Sequence, residues 1–140
     1  MKLPSKDMQV LQHMLKYINR IETEIREHNI DEQAFKCSYL FRDAISMSLL
    51  QIGEKVKLLS KEFCQENKEI PWKEIAGMRD YCAHDYGRMN IDTLWDTASN
   101  DVPLLRMFCE TKLIENGVPL PEPEPLVAPN EQAKGYDCGR

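Results

Sequence analysis

Apolar side chains recur at steps of three and four residues along most of the chain, which is the period of an amphipathic α-helix. In the stretch from Lys6 to Glu27 they stand at Met8, Leu11, Leu15, Ile18, Ile21 and Ile25. After Asp31 the same period continues in one stripe, made of Phe41, Ile45, Leu49, Ile52, Val56, Leu59 and Phe63. We expect the first stretch to be a helix with Ser5 at its N-cap. We expect the second to be one helix about 45–50 Å long that forms the spine of the domain.

A glycine interrupts the apolar stripe of this second helix at position 53. An interior glycine costs about 1 kcal/mol relative to alanine. Gly53 therefore suggests that another helix crosses closely at this point.

Two further helical regions are predicted from Pro71 onwards. Pro71 suits a first helical position, and Gly87 should end the third helix. Asn90 or Asp92 should cap the fourth helix, in which a kink or break is expected just before Pro103 because proline lacks a backbone N–H. The helical pattern then resumes and ends at Gly117.

Beyond Gly117 the chain alternates proline with acidic residues, in "VPLPEPEPLVAPNEQAKGYDCGR". Such a segment buries little, so we expect residues 118–140 to be an extended or disordered tail that drapes over a partner. Residues 1–117 would form the helical domain. With no strand alternation and no internal repeat, the predicted fold is an all-α bundle of four to five helices.

Composition narrows the class of protein. The chain has 140 residues, 42% hydrophobic and 29% charged, as in a single soluble domain. No run approaches the roughly 18 apolar residues of a membrane span, and "MKLPSKDMQ" lacks the apolar stretch of a signal peptide, so we expect a cytoplasmic protein. A net charge of −5 argues against a protein that coats nucleic acid; any nucleic acid would bind at a local cleft.

Metal and disulfide chemistry find little support in the sequence. The five cysteines are an odd number, are widely spaced and include no CxxC pair, so we interpret them as structural. The three histidines, His13, His28 and His84, are far apart, and no HExxH motif occurs. We therefore expect neither a metal nor a cofactor.

The stretch "GMRDYCAHDYG", from Gly77 to Gly87, concentrates chemically active side chains. On a helix, Asp80 and His84 lie four residues apart, so the carboxylate is expected to reach the imidazole. Arg79 lies about 140° around the helix from His84, yet both side chains can enter one groove. Arginine binds phosphate and histidine moves protons near neutral pH, so the pair suits phosphodiester cleavage without a metal. The simpler interpretation is a helix end of mixed polarity.

With its flanks, this stretch resembles the signature region of the HEPN superfamily, in particular the HepT-like branch. The superfamily motif is an Arg, usually followed by a polar residue, and then a His after four intervening residues. Here these are Arg79, Asp80 and His84. The HepT-like branch adds a Tyr two residues beyond the His, which matches Tyr86. Matching flanking positions are Trp72, Ile75, Gly77, Met78, Ile91, Asp92, Trp95, Pro103 and Leu104, with Gly53 and Glu54 in the long helix. The resemblance covers roughly residues 8–115 and implies an up-and-down HEPN helical bundle.

The resemblance also implies a function. HepT-like proteins are ribonuclease toxins that act as homodimers, in which the motifs of two protomers face one cleft. His84 would act as acid and base, Arg79 would hold the phosphate and Asp80 would orient the site. Cleavage of RNA, with tRNA or messenger RNA as candidate substrates, would need no metal and would leave a cyclic phosphate.

The same resemblance implies a protein partner. The chain would be the toxin of a type VII-like toxin–antitoxin pair, neutralised when an MntA-type nucleotidyltransferase transfers AMP to Tyr86. Because the branch often has Asn where this chain has Asp80, the strength of catalysis is left open. The alternative is a non-catalytic HEPN module that binds and regulates a nucleotidyltransferase.

Overall fold

The computed structural model describes residues 5–84, 86–88 and 90–127, and within these ranges the secondary structure is helical, without a strand. The α-helices are α1 (Lys6–Glu27), α2 (Glu32–Cys37), α3 (Tyr39–Val56), α4 (Lys61–Glu66), α5 (Trp72–His84), α6 (Ile91–Asp96) and α7 (Val102–Glu115). A 3-10 helix spans Tyr86–Arg88, and a π-helical turn spans Thr97–Asp101. The all-α class predicted from the sequence is confirmed.

Helix α1 has the bounds that the apolar period predicts. The Ser5 hydroxyl accepts a hydrogen bond from the Met8 N–H at 3.2 Å, which confirms the predicted N-cap. The apolar stripe of this helix is buried in the core, with Leu11, Met14, Ile18 and Ile21 fully enclosed.

The prediction of one long second helix was wrong, because two serines divide it. Ser38 and Ser60 both have extended backbones, and their hydroxyls cap new helices by accepting from the N–H groups of Phe41 and Phe63. Serine competes with the helical backbone in this way and so favours caps over helix interiors. The predicted spine is therefore three helices, α2, α3 and α4, and the predicted apolar stripe runs from Phe41 in α3 to Phe63 in α4.

Contacts at the helix ends show that α1 and α3 run antiparallel. Asp7, in the first turn of α1, accepts from the N–H and the hydroxyl of Ser60, just after α3, at 2.8 and 2.7 Å. At the other end, the His28 ring after α1 lies 5.5 Å from the Phe41 ring near the start of α3.

Helix α3 packs between α1 and α5, and α7 packs on α1. Arg106, near the start of α7, donates to Glu22, near the end of α1, at 2.9 Å, so this pair is also antiparallel. The long helices thus alternate up and down, as the resemblance implied.

The fourth predicted helix is confirmed at its start and differs in its middle. Asn90 is the N-cap, and its side chain accepts from the N–H groups of Asp92 and Thr93. The expected disturbance before Pro103 is a π-helical turn, Thr97–Asp101, which joins α6 to α7 without a break. Pro103 then lies in the first turn of α7, directly after the π-helical turn, at a position where proline is tolerated.

Gly117 ends α7, as predicted, in a Schellman motif. Its backbone has φ of 66°, the left-handed region that favours glycine. The N–H groups of Gly117 and Val118 donate to the carbonyls of Ile114 and Leu113 at 3.1 and 2.9 Å. The hydrogen bonds turn the chain back toward α1.

The described part of the predicted tail, residues 118–127, lies against α1 of its own chain. Gln12 donates to the Pro119 carbonyl at 2.9 Å, and Arg20 makes a bidentate ion pair with Glu124 at 2.9 and 3.1 Å. Leu126 covers a hollow beside Glu24, where burial raises the pKa of the carboxyl. We call residues 118–127 the strap; residues 128–140 lie outside the described structure, and the division at 117 stays a prediction.

None of the helices in the described ranges is both long and apolar enough to cross a bilayer.

Candidate functional site

A close crossing of α3 and α5 fixes the position of Arg79. A Cβ atom at Gly53 would lie 2.9 Å from both the Cβ and the backbone N of Arg79, and 3.0 Å from the carbonyl oxygen of Ile75. Only glycine lets the two backbones approach this closely, which confirms the crossing predicted at Gly53. The crossing brings Arg79 directly onto α3.

Within the described part of the chain, the guanidinium of Arg79 has three partners. Its Nε donates to the Glu54 carboxylate, the residue next to Gly53 on α3. Its Nη1 lies 3.3 Å from Asp80 Oδ1 and 3.0 Å from His84 Nε2. The hydrogen bonds to Glu54 and then to Asp80 raise the pKa of Arg79, so the cation is held in place with its outer edge toward His84.

The contact between Arg79 and His84 orients the imidazole. Arginine can only donate, so His84 Nε2 is the acceptor in this contact and is occupied by Arg79. A phosphate that binds Nη1 would release that nitrogen for proton transfer.

Asp80 differs from the expectation drawn from its spacing. The four-residue interval predicted a contact with His84, but Asp80 Oδ1 instead lies 3.3 Å from Lys57 Nζ and 3.3 Å from Arg79 Nη1. Lys57, and after it Arg79, hold the pKa of the Asp80 carboxyl below its usual range. The carboxylate turns this way because it is attracted by two cations, Lys57 and Arg79.

Sequence reasoning from the motif missed two members of this cluster, Glu54 and Lys57. Both come from α3, three residues apart and therefore on one face. Glu54 was noted only as part of the resemblance, and nothing in the sequence distinguished Lys57 from its neighbours. Their role depends on the crossing at Gly53, which the sequence indicates without naming the partner helix.

Two other residues from the sequence analysis have different outcomes. Tyr86 begins the 3-10 helix after α5, but its side chain lies outside the described residues. Trp72, a flanking position of the resemblance, is part of the core: it is 9% exposed, its Nε1 donates to the Asn67 carbonyl at 3.0 Å, and its ring packs on Phe63 and Phe108.

The described cysteines are free thiols in differing surroundings. Burial raises the pKa of Cys82 to about 11 and that of Cys109 to about 12, so both stay protonated and poorly nucleophilic. Cys37 is exposed, so the structural interpretation of the cysteines gains no support from its position, and Cys138 lies outside the described residues. Among the described side chains, no group of three or more His, Cys, Asp or Glu is placed to hold a metal ion.

Comparison with known proteins assigns the family. The model of the family described as "Ribonuclease HepT-like" matches residues 14–111, which include α5 and the whole Arg79 cluster. The chain belongs to the HepT-like ribonuclease family. No solved structure matches the sequence at a significant level.

Three relatives illustrate the range of similarity to other HepT-like proteins. A protein of Caldanaerobacter subterraneus with a provisional RNase name is 47% identical over 62 residues, which are 44% of this chain and 55% of that protein. A Methanocaldococcus jannaschii protein, named both a gamma-glutamylcyclotransferase and, provisionally, an RNase, is 33% identical over 72% of this chain. A Thermococcus cleftensis protein with the provisional name ribonuclease HepT is 34% identical over 76% of this chain.

These relatives differ in how much of their own length is matched. The chain spans about half the length of the first two, 55% and 45%, and 93% of the Thermococcus protein. The HepT-like domain therefore occurs both as most of a protein and beside other sequence.

Proposed function

We propose that this HepT-like protein is an RNA-cleaving enzyme whose active site is the Arg79–His84 pair. The observation that carries the proposal is the 3.0 Å contact between Arg79 Nη1 and His84 Nε2 at the end of α5. The pair joins a phosphate-binding cation to a group that moves protons near neutral pH.

The reaction follows from the chemistry of these two side chains. Arg79 Nη1 binds a nonbridging oxygen of the RNA phosphate and stabilises the charge that grows in the transition state. The freed His84 Nε2 takes the proton of the ribose 2′-OH as the 2′-oxygen forms a bond to phosphorus. The bond from phosphorus to the 5′-oxygen breaks, and that oxygen takes a proton from water, whose hydroxide is neutralised by the proton that His84 gained. The products are a 2′,3′-cyclic phosphate and a 5′-hydroxyl, and no step calls for a metal.

Glu54 is a positioning residue in this account. Its carboxylate holds Nε on the inner edge of the guanidinium, which leaves Nη1 to face His84 and the substrate. The Arg79 side chain is 31% exposed, so its outer edge is open to a ligand while its inner edge is fixed.

We also propose that two copies form the active site together as a homodimer. Apolar side chains near the site support this part of the proposal. Met47 is 58% exposed and lines a groove with Leu50 of α3 and Cys82 of α5, and Tyr81 is 54% exposed. Burying such side chains against a second copy would stabilise an isologous pair.

The toxin assignment belongs to the proposal as well. The partner would be an MntA-type nucleotidyltransferase that transfers AMP to Tyr86. An added phosphate near Arg79 and His84 would compete with RNA for the cation. Growth arrest on expression of the chain alone, relieved by the His84→Ala substitution or by the partner, would support this part.

The alternative is a non-catalytic HEPN module that regulates a nucleotidyltransferase. One observation favours it: two carboxylates, Glu54 and Asp80, pair with Arg79 and offset its charge. Such a module would bind its partner and leave RNA intact.

Cleavage of RNA in EDTA separates these functions. The purified protein is compared with His84→Ala and Arg79→Ala on tRNA and on a long messenger RNA. His13→Ala is the matched control, because His13 is an exposed histidine on α1 outside the cluster. We expect the native protein and the control to cleave equally, and each active-site variant to lose about 10²-fold or more in rate.

Two results would contradict the proposal. Equal cleavage by the native protein and by both active-site variants would place the activity elsewhere or in a contaminant. Absence of cleavage by every form, once mass spectrometry shows Tyr86 unmodified, would favour the regulatory module.

A further inference from the structure

Lys57 brings a second positive charge to the Arg79 cluster. It lies at the C-cap of α3, and its Nζ is 3.3 Å from Asp80 Oδ1. Arg79 Nη1 lies 3.3 Å from that same oxygen. One carboxylate oxygen is therefore shared by two cations that come from different helices.

The shared contact adds little to the stability of the fold. The side chains of Lys57 and Asp80 are 40% and 60% exposed. Ion pairs between exposed side chains typically contribute only about 0–1 kcal/mol. The contact instead fixes the positions of two cationic nitrogens, because Lys57 Nζ and Arg79 Nη1 each lie 3.3 Å from Asp80 Oδ1.

Among the described side chains that form ion pairs in the cluster, the charges balance in the free protein. Arg79 and Lys57 are offset by Glu54 and Asp80. Of the two carboxylates, Glu54 bonds the inner Nε, whereas Asp80 occupies the outer Nη1. An incoming anion would therefore displace Asp80 and leave Glu54 in place.

We propose that Asp80 Oδ1 marks the position of an RNA phosphate oxygen, and that Lys57 is a second cationic ligand of the phosphate held by Arg79. A phosphate oxygen at this position would contact Lys57 Nζ and Arg79 Nη1 together. Displacement of Asp80 turns a neutral cluster into a cationic one only where substrate binds, which suits a protein whose net charge is −5. This inference rests on the proposed RNA cleavage and names the groups that bind its substrate.

Binding of an uncleavable RNA tests the inference apart from catalysis. The probe is a single-stranded 2′-O-methyl oligonucleotide, titrated in EDTA at salt concentrations from 50 to 200 mM. The variant is Lys57→Gln, and the matched control is Lys55→Gln, which removes the same charge from the same turn of α3. Circular dichroism establishes that both variants fold.

We expect Lys57→Gln to weaken binding and to reduce the salt dependence. Each phosphate contact on a single strand contributes a slope of about 0.7 in log affinity against log salt. The affinity of a variant that has lost one contact should therefore fall about 2.6-fold less than the affinity of the native protein when the salt concentration rises from 50 to 200 mM. Lys55→Gln should keep the native slope, whereas a native slope in Lys57→Gln would overturn the inference.

Asp80→Asn tests the other half of the inference. Removal of the competing charge should tighten binding of the same oligonucleotide several-fold, since substrate no longer displaces an anion. Weaker binding by Asp80→Asn would show that the carboxylate supports the substrate and would overturn its assignment as a stand-in for phosphate.

The outcomes separate this inference from the proposed function. If His84-dependent cleavage occurs and Lys57→Gln keeps native affinity and slope, the inference about Lys57 fails alone. If Lys57→Gln loses the slope but no form cleaves RNA, the phosphate site stands and the proposed catalysis fails. Absence of any RNA binding by the native protein would overturn both.

Discussion

Arg79 is fixed by packing on one side and by charge on the other. Its backbone lies against Gly53, its Nε is held by Glu54, and its Nη1 meets His84. Spacing in the sequence was enough to predict that Arg79 and His84 enter one groove. It was not enough to orient Asp80, because the strongest attraction on that carboxylate comes from Lys57 on another helix.

Substitution of Gly53 by alanine tests whether the close crossing positions Arg79. The new Cβ would meet atoms of the Arg79 backbone and side chain at 2.9 Å, so the helices must move apart. Overpacking of this kind costs about 1–3 kcal/mol, which exceeds the gain of about 1 kcal/mol in helix propensity. We expect a lower midpoint of urea unfolding. We also expect RNA cleavage to fall about 10²-fold, because a shift of about 1 Å at a catalytic group has that effect.

Gly77 provides the matched control on the other helix. A Cβ at Gly77 would have no atom within 4 Å, so Gly77→Ala should raise the free energy of unfolding by about 0.5–1 kcal/mol and leave cleavage unchanged. If both substitutions stabilise the protein and preserve activity, the crossing has no part in positioning Arg79.

At the level of elements, the apolar period predicted which residues are buried better than it predicted where helices stop. Leu49, Ile52 and Val56 are buried as the stripe requires. The stripe continues from α3 into α4 because the chain turns at Ser60 without leaving the core, so periodicity alone cannot show that break. Ser38 and Ser60 were the available signal, since each is a cap residue placed before a helical run.

The strap shows the opposite limit of sequence reasoning. Its proline-rich and acidic composition correctly indicates an extended segment, and α1 supplies the groups that hold it. Gln12 and Arg20 bond to residues more than a hundred positions away. The local composition of the strap does not predict contacts with residues so far away in the sequence.

Arg20→Gln tests whether the bidentate pair holds the strap on α1. Loss of the pair with Glu124 should release the segment, and we expect chymotrypsin to cleave after Leu126, which is followed by Val127 and not by proline, several-fold faster. The free energy of unfolding should fall by no more than about 1 kcal/mol, because the pair is exposed. Arg26→Gln is the control, since Arg26 pairs with adjacent Glu27 on α1. Equal cleavage rates in both variants would contradict this role for Arg20.

On the scale of the whole molecule, the net charge is negative, whereas the proposed active site is built around cations. The chain is acidic, and the cations of the proposed site lie at one crossing of α3 and α5. A protein built in this way gains little affinity from general attraction to RNA. In the proposed mechanism it recognises RNA at the cluster itself, where phosphate would displace Asp80 and make His84 available as a base.

The ends of the RNA fragments test the central claim most directly. Native protein and His84→Ala are incubated with RNA in EDTA, and the fragment termini are identified by mass spectrometry. The account predicts 2′,3′-cyclic phosphate and 5′-hydroxyl ends from the native protein, formed at least 10²-fold more slowly by His84→Ala. Fragments that carry 5′-phosphate ends, or cyclic phosphates formed equally fast without His84, would contradict it.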